Sequence, residues 1–380
     1  MARVPDRAGT QILSFFTGAG FLDLGFALAG FEAIWHNEFD EAFSIGFEHA
    51  MRSAPSELAG SKRVESLDSI LNIGPNAIAK SALGDRTARG GFGMIGGPPC
   101  PDFSVGGKNR GSDGENGQLT QTYVERIREL EPDFFVLENV PGLVRTRKHR
   151  AFFDSVIGTL ESKFLLSWEL LNALDFGVPQ DRQRVIVVGF KRSVLRKLYG
   201  VPFSKRPSAG WSLGIGDTAV HKSALTRYPW PDTKVGAAWI APSNHPLELT
   251  VSDAFGRKDG ALPSDLPNGA DCFRPHSDKF SWIVEGDDSK KSFKRLHRLR
   301  YSPAAAYGNN EVHVHPVEPR RITVREAMRI QTVPDWYRLP PEMTLTKKFK
   351  TVGNGVPVRL ATSVATLIRE VLDGAREIAG

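Results

Sequence analysis

Cysteine is scarce in this sequence, and long apolar runs are missing from it. Only Cys100 and Cys272 occur among 380 residues, which excludes a disulfide framework and predicts a reducing, cytoplasmic location. No apolar run is long enough to span a membrane, and the first residues lack the apolar core of a signal peptide. Hydrophobic residues make up 41% of the chain, enough for one large domain and a smaller one without cross-links.

Positive charge is concentrated in the middle of the chain. The whole sequence carries a net charge of +6, whereas residues 191–317 hold 19 Lys and Arg against 12 Asp and Glu, a net charge of +7. This stretch also holds four of the seven tryptophans and shows little periodicity. We interpret residues 191–317 as a separate module inserted into a domain formed by residues 1–190 and 318–380. A loop-rich surface insertion is the alternative.

The opening segment has the order strand, glycine turn, helix, strand. An apolar run over residues 12–16 predicts a buried strand, and Gly18 and Gly20 follow where a backbone can approach a ligand closely. A helix is predicted over residues 22–28, and the next strand ends at Glu38. An acid about 20 residues after such a turn is typical of ribose binding. A strand–turn–helix without a ligand is the alternative.

Two side chains restrict the class of ligand that this turn can bind. Asp23 stands where a dinucleotide motif has its third glycine, and Phe21 crowds the helix start that a pyrophosphate would need. The pattern therefore indicates an adenosine ligand without a pyrophosphate, for which S-adenosyl-L-methionine is the candidate. Asp68 is a further candidate, near the adenine amino group, although an aspartate there is equally typical of a helix cap or an exposed turn.

Cys100 lies in the stretch "GGPPCPDFS", directly after a short apolar strand. The prolines stiffen the turn, which would place the thiol at the carboxyl end of a strand, where α/β sheets bind ligands. A glycine-rich stretch over residues 105–118 follows and is typical of a lid. A buried turn thiol without a chemical role is the alternative.

Three charged side chains share this kind of location. The strand "PDFFVLENV" ends with Glu138, and Arg182 and Arg184 stand two residues apart just before another strand, so alternation points both to one side. Arginines favour a thiolate, and a thiolate can add to carbon 6 of cytosine, so that carbon 5 attacks an electrophilic methyl group. A carboxyl with a pKa raised by burial would stabilise that adduct at ring N3. The arginines would hold the base and its phosphate, and the base must leave the duplex.

Together these residues resemble the DNA (cytosine-5) methyltransferase family, bacterial restriction-modification type. The resemblance covers most of the chain outside residues 191–317 and follows the family's motif order. It is carried by "SFFTGAGFLDLGF", Glu38-Phe39, Pro99-Cys100, Glu138 to Val140, the triplet Gln180, Arg182 and Arg184, "RRITVREAMRIQTVPDWY" and "VGNGVPVRLATSV".

The resemblance implies a fold, a reaction and roles for particular residues. The fold is α/β, a Rossmann-like S-adenosylmethionine-dependent methyltransferase fold with an inserted target recognition domain, residues 191–317. The reaction is methylation of cytosine carbon 5 in a short duplex DNA sequence. Phe16, Phe39 and Asn354 become cofactor contacts. Three departures from the family pattern are Ser14 for an aspartate, Phe21 for a glycine, and "SPAAAYG" where a Thr-Leu pair is common.

The run "KKSFKRLHRLR" is the candidate DNA-binding segment, because clustered cations neutralise phosphates; a solvated helix face is the alternative. Its cations are Lys290, Lys291, Lys294, Arg295, Arg298 and Arg300. His313 and His315 lack accompanying cysteine or carboxylate ligands, so no metal is expected. Cys272 is expected to be structural.

The expected partner is duplex DNA, bound by a monomer that has no membrane contact and associates with the nucleoid through DNA. A cognate restriction endonuclease acting separately is possible. Two alternatives stay open: a transfer-RNA cytosine-5 methyltransferase, and a non-catalytic DNA-binding relative that has lost cofactor binding.

Overall fold

The computed structural model describes residues 10–59, 63–84, 91–99, 115–200, 208, 211–232, 244–256, 262–290, 292–304, 307 and 312–376. Its strands are β1 (Gln11–Phe15), β2 (Glu32–Asn37), β3 (Val64–Ser66), β4 (Phe92–Gly96), β5 (Phe134–Asn139), β6 (Phe164–Asn172), β7 (Gln180–Asp181), β8 (Gln183–Lys191), β9 (Lys294–Arg295), β10 (Ser302–Pro303) and β11 (His313–Val314).

Helices connect and cover these strands. They are α1 (Phe21–Leu28), α2 (Glu41–Met51), α3 (Ser56–Ala59), α4 (Pro75–Ala82), α5 (Glu115–Leu130), α6 (Gly142–Arg145), α7 (Arg147–Gly158), α8 (Arg192–Tyr199), α9 (Ala224–Arg227), α10 (Val251–Gly256), α11 (Lys279–Trp282), α12 (Val324–Ile330), α13 (Leu345–Asn354) and α14 (Val358–Leu372). No helix in the described ranges is both long and apolar enough to cross a bilayer.

One large sheet organises the molecule, in the strand order β3-β2-β1-β4-β5-β8-β6. The first five strands in that order are parallel, and β8 runs antiparallel to both of its neighbours. The apolar runs of β1 and β5 are almost wholly buried, as strands covered on both faces must be. The predicted α/β fold with a mostly parallel sheet is confirmed.

Helices cover both faces of the sheet. On one face α1, α8 and α14 bury an apolar cluster that includes Phe26, Val188 and Leu360. On the other face α4, α5 and α7 pack over a second cluster. A third cluster joins residues of α10 to α1, α2, α12 and α13. Residues of α12 and α13 therefore pack against α1 and α2, and the assignment of residues 318–380 to the sheet domain stays a prediction.

The beginning of the predicted recognition segment packs on the sheet. The Tyr199 hydroxyl at the end of α8 donates to the backbone oxygen of Val371, 2.9 Å away. The carboxylate of Glu169 on edge strand β6 accepts from the backbone N–H groups of Ile215 and Gly216, both at 2.8 Å. Residues 192–199 and 211–219 thus extend the sheet domain, and the division at residue 191 stays a prediction.

Candidate active site at the carboxyl edge of the sheet

The carboxyl edge of the parallel strands gathers most of the predicted site residues. Strand order reverses between β2 and β4, on either side of β1, and doubly wound sheets bind ligands at such a switch point. Because β8 runs antiparallel to β5, its first residues lie at the same edge as the last residues of β5. Glu138, near the end of β5, therefore meets Arg184, near the start of β8.

Glu138 and Arg184 form a nearly buried ion pair. Arginine Nε lies 2.7 Å from glutamate Oε1, and the two side chains are 12% and 10% exposed, respectively. Burial raises the pKa of Glu138 above its ordinary value, while the positive charges of Arg184 and then Arg182 oppose that rise. Burial is therefore the larger influence on this carboxyl group, and the two arginines limit its effect.

Arg182 contacts a distant part of the chain. Its guanidinium Nη2 donates to the backbone oxygens of Gly353 and Gly355, at 2.6 and 3.0 Å, and the residue is 2% exposed. Asn354, between those two oxygens, is exposed at the end of α13. In this structure Arg182 positions the segment that carries Asn354; its predicted contact with substrate stays a prediction.

Gly97, the second of the two glycines before the Pro-Pro-Cys stretch, lies against Glu138. A Cβ atom on Gly97 would lie 2.6 Å from Oε2 of Glu138, a distance that forces a shift. The backbone leading to Pro99 therefore passes directly against the Glu138 carboxylate. Cys100 itself lies outside the described residues, so its predicted role as nucleophile stays a prediction.

The glycine turn after β1 holds Glu38 in place. The backbone N–H of Gly18 donates to Glu38 Oε2 and that of Asp40 to Oε1, both at 2.8 Å. Gly20 has φ +65°, and a Cβ there would lie 2.1 Å from the ring of Phe47, so no other residue fits. Burial raises the pKa of Glu38, opposed by these two N–H groups.

The remaining predicted cofactor residues border this turn. Phe16 adopts φ +54°, uncommon for a side chain of its size, and its ring packs edge-on against Tyr123 with centroids 6.0 Å apart. Phe39 is 74% exposed, and Asp68 is exposed just beyond β3. Phe16, Phe39 and Asp68 thus follow the ends of β1, β2 and β3, at one edge. An adenosine ligand fits this arrangement, since a Cβ at Gly18 would approach only the backbone oxygen of Phe16 within 4 Å, at 3.9 Å.

The described residues of the candidate DNA-binding segment, 290 and 292–300, form no helix. Lys294 and Arg295 form the short strand β9. Arg295 is 5% exposed, and its guanidinium donates to the backbone oxygens of His315, at 2.7 Å, and Glu318, at 3.1 Å. Arg295 therefore links strand β9 to the backbone of residues 315–318 and is not available at the surface.

The other members of this segment differ in exposure. Arg298 pairs with Glu285, Nε to Oε1 at 3.1 Å, and the Arg300 guanidinium lies over the ring of Tyr301 at 5.0 Å. Lys290 is exposed, and Lys291 lies outside the described residues. Contact of this segment with DNA stays a prediction.

The histidines and the second cysteine occupy structural positions. His313 is buried, which lowers its pKa to about 3, and His315 lies stacked on Phe255. No metal-binding cluster occurs among the described residues. The thiol of Cys272 donates to the backbone oxygen of Arg321 at 3.2 Å, and burial raises the pKa of that thiol.

Sequence reasoning missed two residues near the site. The contact of Gly97 with Glu138 has no signal in the sequence, because it joins the ends of two neighbouring strands. Asp23, which stands where a dinucleotide motif has a glycine, is a 4% exposed carboxylate whose pKa burial raises to about 6. A lone acid in the apolar stretch "FLDLGF" was the available signal.

The fold and this edge define a class, the Rossmann-like methyltransferases. The sequence model of one protein family, described as "C-5 cytosine-specific DNA methylase", matches residues 92–370. The chain is 43% identical to the type II methyltransferase M.NmeDI of Neisseria meningitidis serogroup C, over 97% of this chain and 85% of that protein. It is 31% identical to the type II methyltransferase M.XorII of Xanthomonas oryzae pv. oryzae, over 95% and 84%.

A solved structure agrees in fold. The S. pombe Dnmt2 methyltransferase superposes with a TM-score of 0.60 at 11% identity, covering 95% of this chain and 98% of that one. The chain therefore belongs to the C-5 cytosine-specific DNA methylase family and is a DNA (cytosine-5) methyltransferase of the bacterial restriction-modification type. The family and the enzyme class that the motifs indicated are confirmed.

Proposed function

We propose that the enzyme transfers a methyl group from S-adenosyl-L-methionine to carbon 5 of a cytosine flipped out of a short duplex DNA target, through a covalent bond to Cys100. The observation that carries this proposal is the buried pair of Glu138 and Arg184, with the backbone of Gly97 against it. Gly97 lies two residues before Pro99, and Cys100 is the next residue in the sequence.

The proposed reaction begins with the thiolate of Cys100. Its sulfur donates an electron pair to carbon 6 of the ring, and the displaced carbon 5–carbon 6 pair moves toward N3, which takes a proton from Glu138. The pair then returns through carbon 5 to form the new bond to the methyl group, whose bond to the cofactor sulfur would break at the same time, so that the cofactor would leave as a neutral thioether. Loss of the carbon 5 proton to water restores the double bond and expels the sulfur, and N3 returns its proton to Glu138.

Glu138 suits this role because burial raises its pKa, so that the protonated carboxyl persists to a higher pH than in an ordinary glutamate. Arg184, 2.7 Å away, fixes the orientation of the carboxyl and stabilises the ionised form after proton transfer. Flipping is required, because the target atom of a base stacked in a duplex is out of reach of an enzyme's reacting groups.

The cofactor site that we propose lies along the ends of β1, β2 and β3. When bound, S-adenosyl-L-methionine supplies the electrophilic methyl group. Glu38 is placed to accept hydrogen bonds from ribose hydroxyls, while its N–H donors at Gly18 and Asp40 hold it in position. Phe16, Phe39, Asp68 and Asn354 would line the rest of the site. Calorimetry should show weaker cofactor binding by Glu38→Gln, and unchanged binding would remove Glu38 from the site.

We further infer that residues 191–317 include the target recognition domain, with contacts from Lys290, Lys294, Arg298 and Arg300 to phosphates. The supporting observation is the net charge of +7 over this stretch. We also propose that the enzyme acts as a monomer and that a cognate restriction endonuclease acts separately from it.

Covalent trapping tests the reaction. A duplex carrying 5-fluorocytosine at the methylated position, incubated with enzyme and cofactor, should yield a protein–DNA adduct visible by mass spectrometry. The target is first found by mapping methylated cytosines in DNA from cells that express the protein. Cys100→Ala should give no adduct while still binding duplex. An adduct with Cys100→Ala, or none with the wild type, would refute the mechanism; methylation of a transfer-RNA transcript in place of duplex DNA would refute the substrate.

A further inference from the structure

A second basic cluster lies at the carboxyl edge of the sheet, outside the predicted recognition segment. It occupies the stretch "RTRKHR", where α6 ends and α7 begins. Arg145, Arg147 and Lys148 are exposed there, only a few residues after Glu138. We call these three residues the α6–α7 basic face.

A chain of contacts links this face to the catalytic pair. The Arg145 guanidinium donates to the side-chain oxygen of Gln183, the first residue of β8. The backbone oxygen of Gln183 accepts from Nη1 of Arg184 at 2.7 Å, and Arg184 pairs with Glu138. A phosphate held at Arg145 would therefore lie beside the site where the flipped base must sit.

The charge of Arg147 does not serve the stability of the helix. Arg147 and Lys148 stand in the first turn of α7, where the helix dipole disfavours cations. Within the described ranges Arg147 has no ion pair, whereas Arg150 is paired with Asp154, Nε to Oδ1 at 2.8 Å. An external anion would remove this unfavourable concentration of positive charge.

We infer that the α6–α7 basic face binds the phosphate backbone of duplex DNA beside the flipped cytosine, through Arg145 and Arg147. This inference rests on the proposed function, because it takes the pair of Glu138 and Arg184 as the place of chemistry. The charge distribution of the sequence predicts DNA contacts in residues 191–317. The inference adds contacts made by the sheet domain.

Salt-dependent binding to duplex DNA tests the inference. Each phosphate contact contributes about 0.9 to the slope of log affinity against log salt concentration. Arg147→Gln should lower the slope by about 0.9, and Arg145→Gln combined with Arg147→Gln by about 1.8. Because lysine keeps the charge, Arg145→Lys combined with Arg147→Gln should lower the slope by only about 0.9.

The matched control removes two charges at the opposite edge. Lys80 and Arg128 are exposed in the last turns of α4 and α5, on the side where β4 and β5 begin. Lys80→Gln with Arg128→Gln should leave the slope unchanged, and cofactor affinity should be unchanged in all variants. Equal slopes for the wild type and the Arg145 and Arg147 double variant would overturn the inference. If the wild type itself forms no fluorocytosine adduct, the proposed function fails, whichever result the slopes give.

Discussion

The guanidinium of Arg184 lies 2.7 Å from the carboxylate of Glu138, and both side chains are almost excluded from water. Burial and the neighbouring cations act on the carboxyl in opposite directions, burial being the larger influence. Arg184 therefore limits how far the pKa of Glu138 rises, in addition to holding it in position. The ion pair with Arg184 therefore helps to set the pH range in which Glu138 carries a proton.

Replacing Arg184 should separate these two effects. In Arg184→Gln the pKa of Glu138 should rise further, because its opposing charge is gone. The reaction requires protonated Glu138, so activity lost at high pH should be lost at a higher pH than in the wild type. The rate constant kcat should also fall, by about 10²-fold for a misplaced catalytic group. The measurement is kcat as a function of pH. Glu138→Gln is the control, and its kcat should show no decrease at high pH that is due to this carboxyl. If the decrease occurs at the same pH in Arg184→Gln as in the wild type, Glu138 is not the group that titrates.

Gly97→Ala should impair catalysis without unfolding the protein. The added Cβ would lie 2.6 Å from Glu138 Oε2, so either the carboxylate or the chain before Pro99 must move. A displacement of about 1 Å at a reacting group can cost roughly 10²-fold in rate. Single-turnover methylation and thermal unfolding should be measured together. Gly74→Ala, where an added Cβ has no neighbour within 4 Å, is the control; equal rates for both variants would rule out this close contact as functional.

Asp23→Asn should stabilise the protein above pH 6. The folded-state pKa of Asp23 is about 6 against an ordinary value of 3.8, so the folded protein holds a proton that the unfolded chain has released. Wild-type stability should fall as pH rises between those values and stay reduced above pH 6, by on the order of 3 kcal/mol. Urea unfolding at pH 8 and pH 4.5 measures the effect. The variant's advantage should be large at pH 8 and small at pH 4.5, and a pH-independent difference would exclude the titration of Asp23 as its cause.

Arg295 and Lys290 should respond differently to substitution, although both belong to one basic run. Arg295→Gln removes a buried guanidinium that donates to several backbone oxygens, and should lower the free energy of unfolding by about 3 kcal/mol. Lys290→Gln removes an exposed charge and should change that free energy by less than about 0.5 kcal/mol. Chemical denaturation compares the two. If Arg295→Gln is as stable as Lys290→Gln, the guanidinium has no role in holding the segment.

Local pattern was sufficient to identify most of the individual parts. The first strand, glycine turn, helix and second strand lie where the apolar periodicity places them, because each depends on contacts between residues close in sequence. Arg182 and Arg184 both oppose the rise in the pKa of Glu138, whereas the alternation that directs both to one side stays a prediction. The motif order likewise indicated the family that the comparisons confirm.

Charge pattern was a weaker guide to position. The run from Lys290 to Arg300 has the composition of an exposed basic surface, yet Arg295 lies inside. Its guanidinium is buried because it meets the backbone oxygens of residues 315 and 318, which lie about 20 residues further along the chain. A composition count cannot register such a contact.

The sequence by itself determined which elements form, which chemistry the residues can perform and the family to which the protein belongs, since these depend on short-range patterns and on side-chain types. Tertiary structure alone decided that β8 runs antiparallel beside β5, which brings Arg184 to Glu138. It also decided that Arg182 holds the carbonyl groups of Gly353 and Gly355, more than 170 residues away. Such pairings arise from the packing of the whole sheet, because strand order and direction are set by the burial of both faces and not by any local run of residues.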